Sequence, residues 1–285
     1  MIKQISLGAS AGLFRISLLR IARAIEWTIS CLVALVVGIL RSLTLAAVAA
    51  CALLDAMYSR LILPPNGTSM ARGRARWLHR WSRAAGRVLG IRILQKGFTP
   101  VSGMVALSHK TLLDAILLAA TRPCVFVVRA GIRKLPLVGL LARLGGAIFV
   151  DSTSRRGLLL ANFQIQRALN RRLVVVIFPD CGGHSPIHSR FFSSALFEPA
   201  AELGCTLTAA AIDYQDGSPD LLADYLADGA RMIRHALRVI TRPTSQTMLS
   251  FSSPAFHSGN RKQLALQLWA EALTLTLGRS VSVFR

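Results

Sequence analysis

The chain has 285 residues, 53% of them hydrophobic, and carries 34 Lys and Arg against 13 Asp and Glu, a formal net charge of +21. This length suits one large domain with an appendage, and the apolar content indicates membrane association. The charge favours an anionic lipid surface as partner; nucleic acid is not expected, because zinc-finger spacing and ribonucleoprotein aromatic motifs are missing. The five cysteines are scattered along the chain without CxxC pairs, which argues against a disulfide framework or a metal site.

Residues 1–65 are predicted to form basic and apolar membrane-associated helices. Basic residues recur at helical intervals in 1–26, which fits an amphipathic helix on a bilayer or an ordinary half-buried helix. The uncharged stretch 27–40 is about 21 Å long as a helix, shorter than the roughly 30 Å hydrocarbon core. A continuous helix over 27–54 would place Arg41 near the bilayer centre, so an interfacial or re-entrant hairpin is expected. Whether this segment spans or lies in the bilayer stays open.

The sequence Pro64-Pro65-Asn66-Gly67 marks the boundary to a second domain, 66–285. Arginines at helical spacing follow in 72–87, with Trp77 and Trp81 among them. This predicts a helix at the lipid headgroup level, or a solvated basic face whose tryptophans pack on the domain; both alternatives are kept.

From about residue 101 the pattern changes to short, β-branched apolar runs separated by helix-like segments, such as 156–172. This alternation predicts an α/β domain with a largely buried sheet. Ligands in open α/β sheets bind at the carboxyl ends of strands, where four polar residues would meet. The predicted strands are 104–107, 124–128, 147–150, 173–178, 206–212 and 248–251, and the four polar residues are His109, Arg129, Asp151 and Asp180.

The segment 56–113 holds no acidic residue, and Asp114 ends it five positions after His109. A neutral imidazole can take a proton from a hydroxyl, while a carboxylate fixes its tautomer and stabilises the imidazolium. The pattern from Thr111 to Asp114 also fits a helix capping box, in which case His109 is only a loop residue.

Taken in order, the blocks resemble the glycerolipid (lysophospholipid) acyltransferase family over roughly residues 80–255. The His109–Asp114 segment is similar to the family's His-x4-Asp motif, and Arg129–Gly139 to a segment that begins with a basic residue and ends in Pro-x-x-Gly. Gly146–Asp151, Phe178–Asp180 and Phe192–Glu198 are similar to the family's later blocks.

The resemblance implies a glycerolipid acyltransferase-like sheet wrapped by helices, which transfers an acyl chain from a thioester to a lyso-lipid hydroxyl. His109 is then the general base and Asp114 its orienting partner, with no covalent acyl-enzyme, no metal and no cofactor besides acyl-CoA or acyl-carrier protein as co-substrate. The implied location is the cytoplasmic face of the inner membrane, with anionic lipids as partners. The implied substrate-binding residues are Arg129, Lys134, Asp151, Arg155, Arg156, Phe178, Pro179, Asp180 and Gly182.

Two departures from the family pattern concern the acceptor. Ser152 follows Asp151 where the family commonly has Arg, and Asp180-Cys181 stands where it usually has Glu-Gly. The acceptor is therefore expected to be lysophosphatidic acid or a lyso-aminolipid such as lyso-ornithine lipid. One alternative is a non-catalytic member that acts as a basic membrane-binding protein. A third class, which the sequence favours less, is nucleic-acid binding through the predicted Arg72–Arg92 helix.

Overall fold

The computed structural model describes residues 3–62, 67–107, 112–151, 153–178, 194–214, 237, 239–241, 244–256 and 259–280. The helices are α1 Lys3–Ile62, α2 Gly67–Val88, α3 Leu112–Thr121, α4 Pro136–Leu144, α5 Arg155–Asn170, α6 Glu198–Leu203 and α7 Arg261–Ser280. The strands are β1 Ile91–Lys96, β2 Gly103–Leu107, β3 Cys124–Arg129, β4 Ile148–Val150, β5 Val174–Ile177, β6 Leu207–Tyr214 and β7 Ser245–Phe251. Each predicted strand and the predicted 156–172 helix has a counterpart, so the α/β fold class is confirmed.

The strands form one sheet in the order β1-β7-β6-β2-β5-β3-β4. All neighbouring pairs are parallel except β6 and β7, which are antiparallel. The carboxyl ends of β2, β5, β3 and β4 therefore lie side by side at one edge. This is the edge at which the sequence predicted the polar residues to meet.

Helices cover both faces of the sheet, because its central strands are apolar on both sides. All four residues of β5 are buried, as expected for a strand covered on each face. One face packs against α2 and α3 through Leu117 and Val176, the other against α5 and α7 through Ile165 and Leu268. The core is thus two apolar layers, one on each side of the sheet.

The N-terminal helix α1 runs for 60 residues without a break, so the expected hairpin is wrong. Arg41, whose charge motivated the hairpin, donates from Nη1 to the carbonyl oxygen of Ile240 at 3.3 Å. Tertiary contact therefore accommodates the arginine within a continuous helix. Outward side chains from Ile25 to Leu61 are mostly exposed and apolar, and this stretch is long and apolar enough to cross a membrane.

Helix α2 packs against α1 through its two tryptophans. The indole N–H of Trp77 donates to the Ala52 carbonyl oxygen at 3.2 Å, and that of Trp81 donates to Oδ2 of Asp55 at 2.9 Å. Trp77 is buried and Trp81 half-buried. The two tryptophans therefore pack on the protein, as expected for a solvated basic face and not for a helix at the lipid headgroup level.

Candidate active site

Asp114 lies in the first turn of α3 and its side chain is 0% exposed. The phenol of Tyr214, the last residue of β6, donates to Oδ1 of Asp114 at 2.5 Å. A buried carboxylate is costly without such a donor, and negative charge near a helix N-terminus is favourable. Asp114 thus takes part in a long-range contact, which a capping role alone does not require. His109 lies outside the described residues.

The carboxyl edge of the sheet brings Arg129 and Phe178 to one cavity. Arg129 ends β3, and Phe178 directly follows β5 and stacks on Phe126 with ring centroids 5.7 Å apart. Arg129 and Phe178 both line the cavity. They are two of the substrate-binding residues predicted from the sequence.

This cavity has a volume of about 440 Å³. Apart from Ser82 and Arg129, the side chains that line it among the described residues are aliphatic or aromatic. Ala115 and Ile116, which follow Asp114 in α3, form part of its wall. Two helices supply much of the remaining wall: Leu45, Val48, Ala49 and Ala52 of α1, and Trp77, Leu78, Trp81, Ser82 and Ala85 of α2. The rest comes from residues of β3 and α4 and from Ile132, Ala147, Val150, Leu158, Ala195 and Leu196.

Asp151 makes local contacts in the loop between β4 and α5. Its Oδ1 accepts hydrogen bonds from Thr153 Oγ1 at 2.6 Å and from the Thr153 N–H at 3.1 Å. These two bonds, the hydroxyl first, hold the pKa of the Asp151 carboxyl below its usual value. Gly157 lets the helix approach this loop, because a Cβ there would lie 2.7 Å from the Asp151 carbonyl oxygen. Asp151 therefore has a structural role in the loop.

Three further predicted binding residues, Lys134, Arg155 and Arg156, lie around this edge without lining the cavity. Arg155 and Arg156 are exposed in the first turn of α5, and Lys134 is exposed in the 3-10 turn Ala130–Lys134. Three exposed cations can meet an anionic headgroup, although the structure does not bring them to the cavity wall. Pro179, Asp180 and Gly182 lie outside the described residues.

Tyr214 is the site residue that sequence reasoning missed. Its contact with Asp114 joins positions 100 residues apart. Its position at the end of an apolar strand could have indicated it, because Arg129 and Phe178 stand at the ends of strands on the same edge. Within the described part of the chain, three or more His, Cys, Asp or Glu side chains do not cluster closely enough to hold a metal ion.

Three relatives of known activity are similar to parts of the chain. A 1-acyl-sn-glycerol-3-phosphate acyltransferase of Neisseria gonorrhoeae is 29% identical over 117 residues, which is 41% of this chain and 46% of that protein. A lyso-ornithine lipid O-acyltransferase of Pseudomonas aeruginosa is 29% identical over 162 residues, 56% of this chain and 62% of that protein. The Rhizobium meliloti enzyme of that name is 32% identical over 139 residues, 47% of each protein. The chain spans about half the length of the first of these relatives.

The fold is similar to the crystal structure of PlsC, the 1-acyl-sn-glycerophosphate (LPA) acyltransferase of Thermotoga maritima. The TM-score is 0.56 at 16% identity, and the match covers 87% of this chain and 96% of that one. At this identity the likeness speaks for the fold alone. Residues 96–213 match the family model named Acyltransferase. The resemblance predicted from the sequence blocks is thereby confirmed over residues 96–213.

Proposed function

We propose that this protein transfers an acyl chain from a thioester to the hydroxyl of a lyso-lipid at a membrane surface. The observation that carries the proposal is a buried carboxylate, Asp114, at the start of a helix whose next residues form the wall of an apolar cavity. An acid–base group beside a space for an aliphatic chain is what acyl transfer to a lipid needs. The matched family domain supports the same reaction class.

The cavity is the proposed site of the acyl chain. Its volume, about 440 Å³, lies within the usual range of small-ligand sites, about 300–1,000 Å³. Its wall has few polar groups, so a fatty chain would bury apolar surface there without leaving donors or acceptors unpaired. The thioester would then lie where Arg129 and α3 border the cavity.

In the proposed reaction His109 takes the proton of the acceptor hydroxyl as its oxygen attacks the thioester carbonyl carbon. The C–O bond forms, the carbonyl becomes an oxyanion, and backbone N–H groups at the start of α3 stabilise it. The oxyanion collapses, the C–S bond breaks, and the thiolate takes the proton from the imidazolium. Asp114 stays ionised throughout and stabilises the imidazolium. A metal is not required, because a thioester is already activated.

The phosphate or carboxylate of the acceptor's headgroup is proposed to meet Arg129, Lys134, Arg155 and Arg156, which border the carboxyl edge. Asp151 is already bonded to Thr153, and Ser152 stands where the family commonly has Arg. These features fit a headgroup other than a phosphomonoester, and lyso-ornithine lipid O-acyltransferases are among the relatives. Lyso-ornithine lipid and lysophosphatidic acid are therefore the two acceptors to test.

Membrane association is proposed to use α1. Its outward residues Leu32, Leu43 and Leu61 are 62%, 64% and 79% exposed, and the chain's +21 charge suits anionic lipid. The cytoplasmic face of the inner membrane is the proposed location, where acyl-CoA and acyl-carrier protein are both present.

The test is acyl transfer by the full chain in anionic lipid vesicles, with acyl-CoA or acyl-carrier protein as donor and each acceptor in turn. The wild type should acylate at least one acceptor, and His109→Ala should lose roughly 10²–10⁴-fold in rate. His79→Asn is the matched control. The Nδ1–H of His79 donates to the Ala119 carbonyl oxygen at 2.7 Å, and the asparagine amide keeps a donor there. Vesicle binding by the wild type without transfer to any acceptor would favour the non-catalytic alternative, and full activity in His109→Ala would refute the mechanism.

A further inference from the structure

Tyr214 makes a side-chain contact with Asp114 that no sequence motif includes. Its phenol oxygen lies 2.5 Å from Oδ1 of a carboxylate that is 0% exposed. A hydroxyl that donates to an ionised oxygen forms one of the shorter and stronger hydrogen bonds in proteins. The contact therefore restrains the carboxylate and also supplies a hydrogen-bond donor to its buried charge.

The sheet topology explains how this contact forms. Strands β2 and β6 are neighbours and parallel, and α3 follows β2 along the chain. Side chains alternate along β6, so Ala210, Ile212 and Tyr214 share the face on which α3 packs. The last of them, at the carboxyl end of β6, meets the first turn of α3. The fold thus gives Asp114 a partner from a strand that carries none of the predicted site residues.

We propose that Tyr214 is a positioning residue for acyl transfer, which fixes the carboxylate of Asp114 so that it can orient the imidazole of His109. This inference rests on the function proposed above. A carboxylate has two oxygens with about four acceptor sites, so a phenol on one oxygen leaves capacity for an imidazole N–H. Holding one oxygen sets the rotation of the whole group, and thereby the direction in which a second donor is received.

A role through Asp114 predicts which kinetic constant changes. Tyr214 is not among the residues that line the cavity, so it has no part in holding the acyl chain. Loss of its hydroxyl should leave substrate affinity unchanged and misplace the base in the transition state, which lowers kcat. A packing role would instead lower the fraction of folded protein and leave the kcat of the folded fraction unchanged.

The experiment compares Tyr214→Phe with wild type in the vesicle assay, with rates normalised to the folded fraction measured by circular dichroism. We expect kcat to fall about tenfold, while KM for donor and acceptor stays within about twofold. Thr274→Val is the control, because it removes a hydroxyl from an exposed side chain of α7, on the other face of the sheet from Asp114. It should behave as wild type.

A second comparison asks whether Tyr214 acts through Asp114. Tyr214→Phe is introduced into Asp114→Asn, and residual transfer is measured in single turnovers at high enzyme concentration. If the effect passes through the carboxylate, the second change should alter the residual rate less than about twofold.

Wild-type kcat in Tyr214→Phe, an effect on KM alone, or a further tenfold loss in the Asp114→Asn background would each overturn the inference. Wild type and His109→Ala are measured in the same assay. Absence of transfer by the wild type, or full activity in His109→Ala, overturns the proposed function. If those two proteins behave as expected and Tyr214→Phe does not, only the role of Tyr214 is overturned.

Discussion

The indole N–H of Trp81 on α2 donates to Oδ2 of Asp55 on α1 at 2.9 Å, and the guanidinium of Arg80 binds the same oxygen. The side chain of Asp55 is 25% exposed and that of Arg80 is 61% exposed. The half-buried indole bond should therefore stabilise the α1–α2 packing more than the solvent-screened ion pair does.

Asp55→Ala should lower the free energy of unfolding by about 1–2 kcal/mol, because it leaves the Trp81 N–H without its acceptor. Arg80→Ala should cost less than about 0.5 kcal/mol. Denaturant unfolding in detergent measures both, with Arg76→Ala on the exposed side of α2 as control. A loss in Arg80→Ala as large as that in Asp55→Ala would show that the ion pair is the stronger bond.

Ala49→Trp should shift the acyl-chain preference toward shorter chains. Ala49 lines the cavity from α1, so an indole there would fill space that the end of a long chain would occupy. Transfer of long chains should fall more than about tenfold, while short chains retain most of their rate. Competition within a series of acyl thioesters of increasing length measures the shift. The neighbouring Ala50 is exposed, so Ala50→Trp should leave the preference unchanged.

Membrane binding should depend on the outward face of α1. Replacing Leu32, Ile39 and Leu43 by Ser removes apolar side chains that are 62%, 52% and 64% exposed. We expect at least tenfold weaker partition onto anionic vesicles, because each buried apolar side chain contributes about 1.5–3 kcal/mol. Flotation assays measure the partition coefficient.

The control for this membrane test is a similar exposed cluster on the other face of the sheet. Leu159, Leu160 and Phe163 of α5 are 62%, 54% and 56% exposed. A flat bilayer against α1 would not reach them, so their replacement by Ser should leave vesicle binding unchanged. Equal losses in the two triple variants would contradict membrane contact through α1.

Thr153→Val should raise the pKa of the Asp151 carboxyl toward its usual value. The variant removes the hydroxyl that contributes most to the lowered pKa and keeps the weaker N–H bond. A carboxyl with a lowered pKa stabilises the fold above its ordinary pKa and loses that contribution as pH falls through the lowered value. The variant should therefore lose the contribution at a higher pH than wild type does.

Titration of the Asp151 side-chain carbon by NMR measures this pKa. Ser154→Ala serves as control, because Ser154 Oγ accepts from the Gly157 N–H and caps α5, while the lowered Asp151 pKa comes from the bonds to Thr153. An unchanged Asp151 pKa in Thr153→Val would show that the hydroxyl bond does not persist in solution.

The buried sheet was predictable because strands covered on both faces are continuous apolar runs, as in β5. Strand β1, Ile91–Lys96, was not predicted, because it alternates apolar and polar residues at the edge of the sheet. Edge strands carry a weaker apolar signal, and its mixture of Arg, Gln and Lys resembles the end of the preceding helix. Local pattern therefore identified the six apolar strands, including the edge strand β4, and missed the mixed edge strand β1.

The two other failures arise from contacts distant in sequence. The hairpin in α1 was inferred from the cost of Arg41 in lipid, but a carbonyl oxygen 199 residues away accepts from its guanidinium. Tyr214 reaches Asp114 across 100 residues. Arg129 could be predicted because it follows an apolar run, and Asp114 because it stands five positions after His109, whereas the role of Phe178 was implied by the family resemblance. Their tertiary partners could not, because pairing between distant segments depends on sheet order.

Helix α1 supplies part of the cavity wall with one face and exposes apolar side chains on another. We therefore expect detachment from lipid to change the affinity for the acyl thioester as well as access to the acceptor. The turnover of an acyltransferase bound in this way should follow the surface density of the acceptor. Dilution of the acceptor with inert lipid, at a fixed bulk concentration of acceptor, should therefore slow turnover. A protein truncated to remove α1 would also lose part of the cavity wall, so its inactivity would not test whether the membrane is needed.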